Sequence, residues 1–188
     1  SAVIQLQQAD GTFASSANST LAADKASEDI DALFFDADRD GDQDLYVASG
    51  GNEYPEGHQA LQDRLYINDG KGNFKKKALP NMKVSSGVAK AGDIDGDNDL
   101  DLFVGGRQVP NKYGYPAASF ILQNDGKGGF ADITKSIAPE LEKAGMVSDA
   151  QWIDLDQDQD QDLVIVGEWM PITVLSNEGN KLTNQTKA

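Results

Sequence analysis

Apolar residues along this chain alternate with polar ones in short runs and seldom recur at helical spacing. Three runs read as β-strands: 45–49 (LYVAS), 100–106 (LDLFVGG) and 163–167 (LVIVG). Each is preceded by a short apolar stretch, at 32–35, 87–92 and 150–153. About 20 residues further on comes another strand that ends in a glycine-rich turn, at 65–74, 120–130 and 172–182. Asn-Asp-Gly between two β-type runs predicts a hairpin. A partial copy, VIQLQQADGTF, occupies 3–13. The predicted unit is strand, loop, strand, connection, strand, turn, strand. In the first full unit these strands fall at about 30–36, 44–49, 63–68 and 73–78. Helix signals are weak. Segments 19–30 and 139–145 hold a turn or two at most, between the last strand of one unit and the first strand of the next.

The loop inside each unit is acidic. The three loops read DADRDGDQD (36–44), DIDGDNDLD (93–101) and DLDQDQDQD (154–162). Each nine-residue run holds five aspartates at alternate positions, so fifteen of the 31 acidic residues sit there. A solvated charge run explains one such segment but not three in phase, 57 and 61 residues apart. A repeat of that period, with four strands per unit, predicts an all-β chain of tandem antiparallel β-propeller blades. The expected blades are 30–79, 87–135 and 147–187, with a partial N-terminal blade at 1–14, in one repeat domain over 1–188.

The chain has 188 residues and a net charge of −15, from 16 basic and 31 acidic side chains. This argues against nucleic acid and anionic membrane surfaces as partners, and permits cations. No apolar run approaches the ~20 residues that cross a bilayer, so direct membrane insertion is not expected. Cysteine is absent, which excludes disulfides and zinc–thiolate sites. The single histidine, His58, leaves little room for a His-based triad, and reads as a surface residue. The chain begins Ser-Ala with no secretory apolar stretch, which predicts a removed leader or a segment of a longer protein.

Five carboxylates in nine residues repel one another unless they enclose a hard cation. Ca²⁺ takes six to eight oxygens, mixing carboxylates, a backbone carbonyl and water. Positions 1, 3, 5 and 9 supply side chains, and position 7 supplies its carbonyl. The first core leucine of the next strand (Leu45, Leu102 or Leu163) follows position 9 and fixes the register. The predicted side-chain ligands are Asp36, Asp38, Asp40 and Asp44; Asp93, Asp95, Asp97 and Asp101; and Asp154, Asp156, Asp158 and Asp162. The carbonyls belong to Asp42, Asp99 and Asp160. An EF-hand needs a bidentate Glu at position 12, where this chain has Val47, Val104 and Ile165. Mg²⁺ keeps several waters and rarely uses an all-protein cage. The bend near position 6 favours a residue that tolerates positive φ. Gly41 suits it, Asn98 tolerates it and Gln159 does not, so the third site should bind most weakly.

These features together, Asp-x-Asp-x-Asp-[Gly/Asn]-x-x-Asp-Leu before an apolar strand, resemble the FG-GAP (VCBS) repeat of integrin α-subunit propellers and bacterial exported proteins. The paired LYINDGKGNF and LQNDGKGGFADIT resemble the bacterial ASPIC/UnbV-type branch. The resemblance runs from about Val3 to Lys187. It implies a Ca²⁺ ion in each loop, about three in all, and adhesion or scaffolding without catalysis. Family propellers are usually seven-bladed. Three and a half blades therefore imply a segment of a larger propeller, an open arc, or a protomer that closes with a partner through exposed blade edges.

Long connections after the second strand, at 50–63 and 105–119, carry Tyr54, Arg107, Tyr113 and Tyr115, and Trp169 sits at the matching place in the third unit. They form a candidate rim for a protein or carbohydrate ligand, on the face opposite the acidic loops. For each aromatic, packing of loop on blade is the competing expectation. Trp152 follows the core pattern, and Lys75–Lys77 mark an outer blade edge. The expected function is a non-catalytic, Ca²⁺-binding module for extracellular, cell-surface or periplasmic adhesion. The alternatives are a glycan-processing enzyme with paired carboxylates, or a purely structural assembly subunit.

Overall fold

A computed structural model describes residues 3–16, 19–179 and 181–186. Residues 1–2 of the expected partial blade, Asn180 of the last turn and Lys187 lie outside the described residues. Strands β1 (Gln5–Gln7) and β2 (Phe13–Ser15) form a hairpin, followed by the short helix α1 (Ser19–Ala23). The first four-stranded sheet comprises β3 (Glu28–Phe35), β4 (Asp44–Gly50), β5 (Arg64–Asn68) and β6 (Phe74–Lys77). The second comprises β7 (Ser85–Gly92), β8 (Asp101–Gln108), β9 (Phe120–Asn124) and β10 (Phe130–Asp132). After helix α2 (Thr134–Ile137) comes the third, with β11 (Met146–Ile153), β12 (Asp162–Glu168), β13 (Thr173–Asn177) and β14 (Leu182–Asn184). Each sheet is an antiparallel meander in chain order, the arrangement of a propeller blade.

The strands of the first blade fall within two residues of their expected bounds. The helix expected over 19–30 stops at Ala23, because β3 begins at Glu28. That strand starts early and carries a bulge between Asp29 and Asp31. Matching irregularities lie between Ser86 and Val88 and between Val147 and Asp149. One extra residue per innermost strand bends it at the same level in all three blades.

The blades stack face to face, which explains why β4 and β8 are buried on both sides. Tyr46 and Ala48 turn toward the second blade, where they pack with Leu102, Val104 and Leu122. Leu45 and Val47 turn the other way, under Leu21 of α1. Phe103 and Ile121 face the third blade and meet Trp152, Leu163 and Ile165. Trp152 is buried as expected, and its Nε1 donates to the Lys90 carbonyl across the interface.

Asp63 bolts the first blade to the second. It accepts from the Tyr46 hydroxyl (2.7 Å), the Ser49 amide (2.6 Å) and the Ser86 hydroxyl (2.9 Å) of the next blade. Burial pushes its carboxyl up to about 7, against the pull of those hydrogen bonds. A raised carboxyl pKa makes the folded state the better proton binder. That stabilisation is complete below the ordinary carboxylate pKa and is lost as pH rises to about 7. Asp63→Asn should therefore flatten the stability profile between pH 4 and 7. The check is the difference between wild-type and variant urea curves across that range, and a constant difference would contradict it.

Candidate metal centres and aromatic rim

Each acidic loop connects the first and second strands of a blade and is tied by its own carboxylates. The first aspartate spans the bend. Asp36 accepts from the Arg39 amide (2.7 Å) and the Gly41 amide (3.0 Å). Asp93 does the same with Gly96 and Asn98, and Asp154 with Gln157 and Gln159. These donors, at positions 4 and 6, all have positive φ. The sixth-position bend was expected, and the fourth-position one was not.

The ninth aspartate is a buried strut. Asp44 accepts from the Ala37 amide (2.8 Å) and from the Asn68 amide at the end of the third strand (2.7 Å). Asp101 repeats this with Ile94 and Asn124, and Asp162 with Leu155 and Asn177. Each strut fixes the loop against two strands at once. Two seventh-position carboxylates, Asp42 and Asp99, lie against the glycines of the hairpin turns, Gly70 and Gly126. Asp99 sits so close to Gly126 that a Cβ there would stand 3.0 Å from it.

Carboxylate oxygens of Asp36, Asp38 and Asp40 lie within 4.8 Å of one another, as do those of Asp93, Asp95 and Asp101 and those of Asp154, Asp156 and Asp162. Asp44, Asp97 and Asp158 stand outside these triplets; Asp97 and Asp158 accept instead from the Asp99 and Asp160 amides. The predicted sets thus converge in part, with positions 1, 3 and 5 meeting in the first loop and positions 1, 3 and 9 in the others. Electrostatics match the crowding. Burial, then Asp40, raises the Asp38 carboxyl, and its Oδ1 is buried with no hydrogen-bond partner among the described residues. Burial holds Asp101 up to about 6, and burial with the neighbouring Asp97 does the same for Asp99. What such loops can do is offer hard oxygens to a divalent cation that relieves the repulsion.

The loops are also stitched to each other. Asn124 Nδ2 donates to the Leu100 carbonyl of its own loop and to the Ala37 carbonyl of the previous one (2.9 Å). Asn177 Nδ2 donates to Gln161 and, across the blade interface, to Ile94 (2.8 Å). The Asn of the second and third hairpin turns, read in the sequence only as turn chemistry, thus joins consecutive acidic loops, whereas Asn68 of the first donates to Gln43 of its own loop.

Loop three carries Gln157 (φ 67°) and Gln159 (φ 79°), where the other loops have a glycine at one of the two positions. Left-handed backbone costs a non-glycine residue ~1–2 kcal/mol. Gln159→Gly should stabilise the fold by ~1 kcal/mol and tighten the third cation site. Chemical denaturation and calcium titration calorimetry check this, and a destabilised variant would contradict it.

On the opposite face, Trp169 is 81% exposed, Tyr113 67% and Tyr115 62%, so packing does not account for them. Trp169 also holds φ 58°, a strained region for a bulky side chain. Its Nε1 donates to the Tyr113 hydroxyl (3.4 Å), which donates to Glu168 (2.8 Å). Arg107 donates to the other Glu168 oxygen, and its Nη1 is buried without a partner among the described residues. Together the arginine and the tyrosine hold the Glu168 carboxyl below its usual range. Glu168 was not expected at the site; its place at the end of β12, one residue before Trp169, was the available signal. Tyr54 is not part of this cluster. It stacks on His58 at 4.2 Å, and His58 Nδ1 accepts from the Ala60 amide to start a 3₁₀ turn.

No curated protein matches the chain in sequence. A solved structure similar in fold is that of an Agrocybe aegerita lectin, described as the basis of specific recognition of non-reducing terminal N-acetylglucosamine. It aligns at 18% identity with a TM-score of 0.54, over 98% of this chain and 44% of the lectin. The chain thus spans less than half the length of that lectin. Residues 36–104, which hold the first two acidic loops and strands β4 to β7 between them, match the model of the FG-GAP-like repeat. Over that segment the chain is similar to FG-GAP-like repeats.

Proposed function

We propose that this chain is a carbohydrate-binding module, non-catalytic and stabilised by calcium, acting outside the cytoplasm. The observation that carries it is Trp169, a bulky aromatic held exposed on strained backbone beside Tyr113, Glu168 and Arg107. An exposed indole presents a flat apolar face to the C–H face of a sugar ring. Glu168 accepts from hydroxyls, and Arg107 and Tyr113 hold its carboxylate in place. The lectin of similar fold supports the same ligand class.

Calcium fits the loops. Ligands ~2.4 Å from an ion stand at most ~4.8 Å apart, the limit within which each triplet falls. The donors are all hard oxygens, and Asp38 Oδ1 has no other partner among the described residues. Asp36, Asp38 and Asp40, Asp93, Asp95 and Asp101, and Asp154, Asp156 and Asp162 would hold the ions. Calcium supplies charge neutralisation there and no chemistry. Modest-affinity sites fill at extracellular calcium levels, which supports export.

The test is binding to a glycan array that includes terminal N-acetylglucosamine, with Trp169→Ala as the control. Wild type should bind at least one neutral glycan, and the variant should bind at least ~10-fold more weakly at unchanged melting temperature. Equal binding by the variant would remove this reading.

A further inference from the structure

Beside the Trp169 cluster lies a cleft of about 390 Å³. Its walls are Val109, Pro110, Pro116 and the exposed ring of Tyr115. Its charged lining is balanced, with Glu56 and Glu142 against Lys112 and Lys143, and Gln108 adds an amide. Apolar walls with a few polar groups, in a volume above ~300 Å³, are the make-up of a small-molecule subsite. Paired charges that already satisfy each other, as Lys112 and Glu56 do at 3.4 Å, repay a ligand with many hydroxyls and no charge.

Cleft and aromatic cluster share two walls. Along the first, neighbouring residues divide between them: Arg107 serves the cluster and Gln108 the cleft, Lys112 the cleft and Tyr113 the cluster. The second runs from Lys143 at the cleft to Gly145, which packs against Met170, the residue after Trp169. Gly145 (φ 130°) has no room for a Cβ against Met170, so this wall is closely joined. An antiparallel bridge between Ala117 and Gly145 ties the two walls together.

We infer that the cleft is a second sugar subsite, so that the ligand is a neutral oligosaccharide running from Trp169 to Tyr115 rather than a single terminal sugar. This rests on the carbohydrate-binding reading above. Tyr115 stacks on a later ring of the chain, and Gln108 and Lys112 donate to its hydroxyls. Charged glycans of either sign gain nothing from the cleft, because Lys112 and Lys143 balance Glu56 and Glu142, and Arg107 balances Glu168.

The experiment is titration calorimetry of the calcium-loaded chain with neutral homo-oligosaccharides of glucose, mannose, galactose and N-acetylglucosamine, from mono- to tetrasaccharide. The wild type is expected to bind a tetrasaccharide of one series at least ~10-fold tighter than its monosaccharide. Tyr115→Ala and Gln108→Ala should each cut that ratio below ~3-fold while leaving monosaccharide affinity unchanged. Tyr115 is exposed, so its variant should fold normally, which the melting temperature verifies. Affinity independent of length, with monosaccharide binding still lost in Trp169→Ala, overturns the extended site and leaves the function standing. Absence of binding to every sugar, or saturation of the cleft by unglycosylated peptides alone, overturns both.

Discussion

Asp101→Ala is expected to cost ~2 kcal/mol of folding stability even without calcium. Asp101 is 1% exposed, and its two oxygens take the amides of Ile94 and Asn124, both buried. Removing the carboxylate leaves two buried donors without partners, at ~1–3 kcal/mol each. Part of that returns, because burial already disfavours the ionised carboxyl, whose pKa stands at about 6. The remainder is a large share of the ~5–15 kcal/mol that holds a domain. Asp97→Ala is the contrast. Asp97 is exposed, so in chelator its loss should cost less than ~1 kcal/mol. Urea denaturation of both variants in EDTA decides the matter. Equal costs would mean that the ninth-position aspartates are ligands only, not struts.

Calcium removal is the larger effect. A modest-affinity site occupied at about tenfold excess over its Kd adds ~1.4 kcal/mol, and three such sites add ~4. For a chain of this size, 1 kcal/mol moves the melting temperature by ~2–4 °C. Chelation should therefore lower it by at least ~8 °C relative to millimolar calcium. Magnesium at the same concentration should restore less than half of the shift, because it gives up its waters reluctantly. The asparagine stitches predict that the loss is shared. Asn124→Ala cuts the hydrogen bond from the second blade to the Ala37 carbonyl, between the first loop's ligands Asp36 and Asp38. It should weaken calcium binding at the first loop as well as the second. A melting temperature unchanged within ~2 °C by chelator would contradict the whole electrostatic account.

Much of this architecture was legible in the sequence because it repeats. Five alternating aspartates recur in phase with a leucine-led strand, so the loops, their register and the four-strand unit could be read without coordinates. Trp152 was legible for the same reason, since it falls on the buried side of a period-two strand. What depends on the stacking of one blade on another was not. Asn124 and Asn177 read as ordinary turn residues, and only the stacking brings their amides onto the preceding loop. Asp63 belongs to a single blade, so no repeat pattern flagged it, and its burial comes from Ser86 of the next blade. Trp169 read most simply as packing. Its exposure follows from a left-handed backbone at the end of β12, which neither hydropathy nor spacing encodes.

If the acidic loops are cation cages, the folded chain carries its ions with it. Equilibrium dialysis against millimolar calcium, followed by elemental analysis of the folded chain, counts the ions directly. Three calcium ions per chain, falling to two when Asp93, Asp95 and Asp101 are replaced together by Asn, is the expected result. A folded wild-type chain that retains none would contradict it.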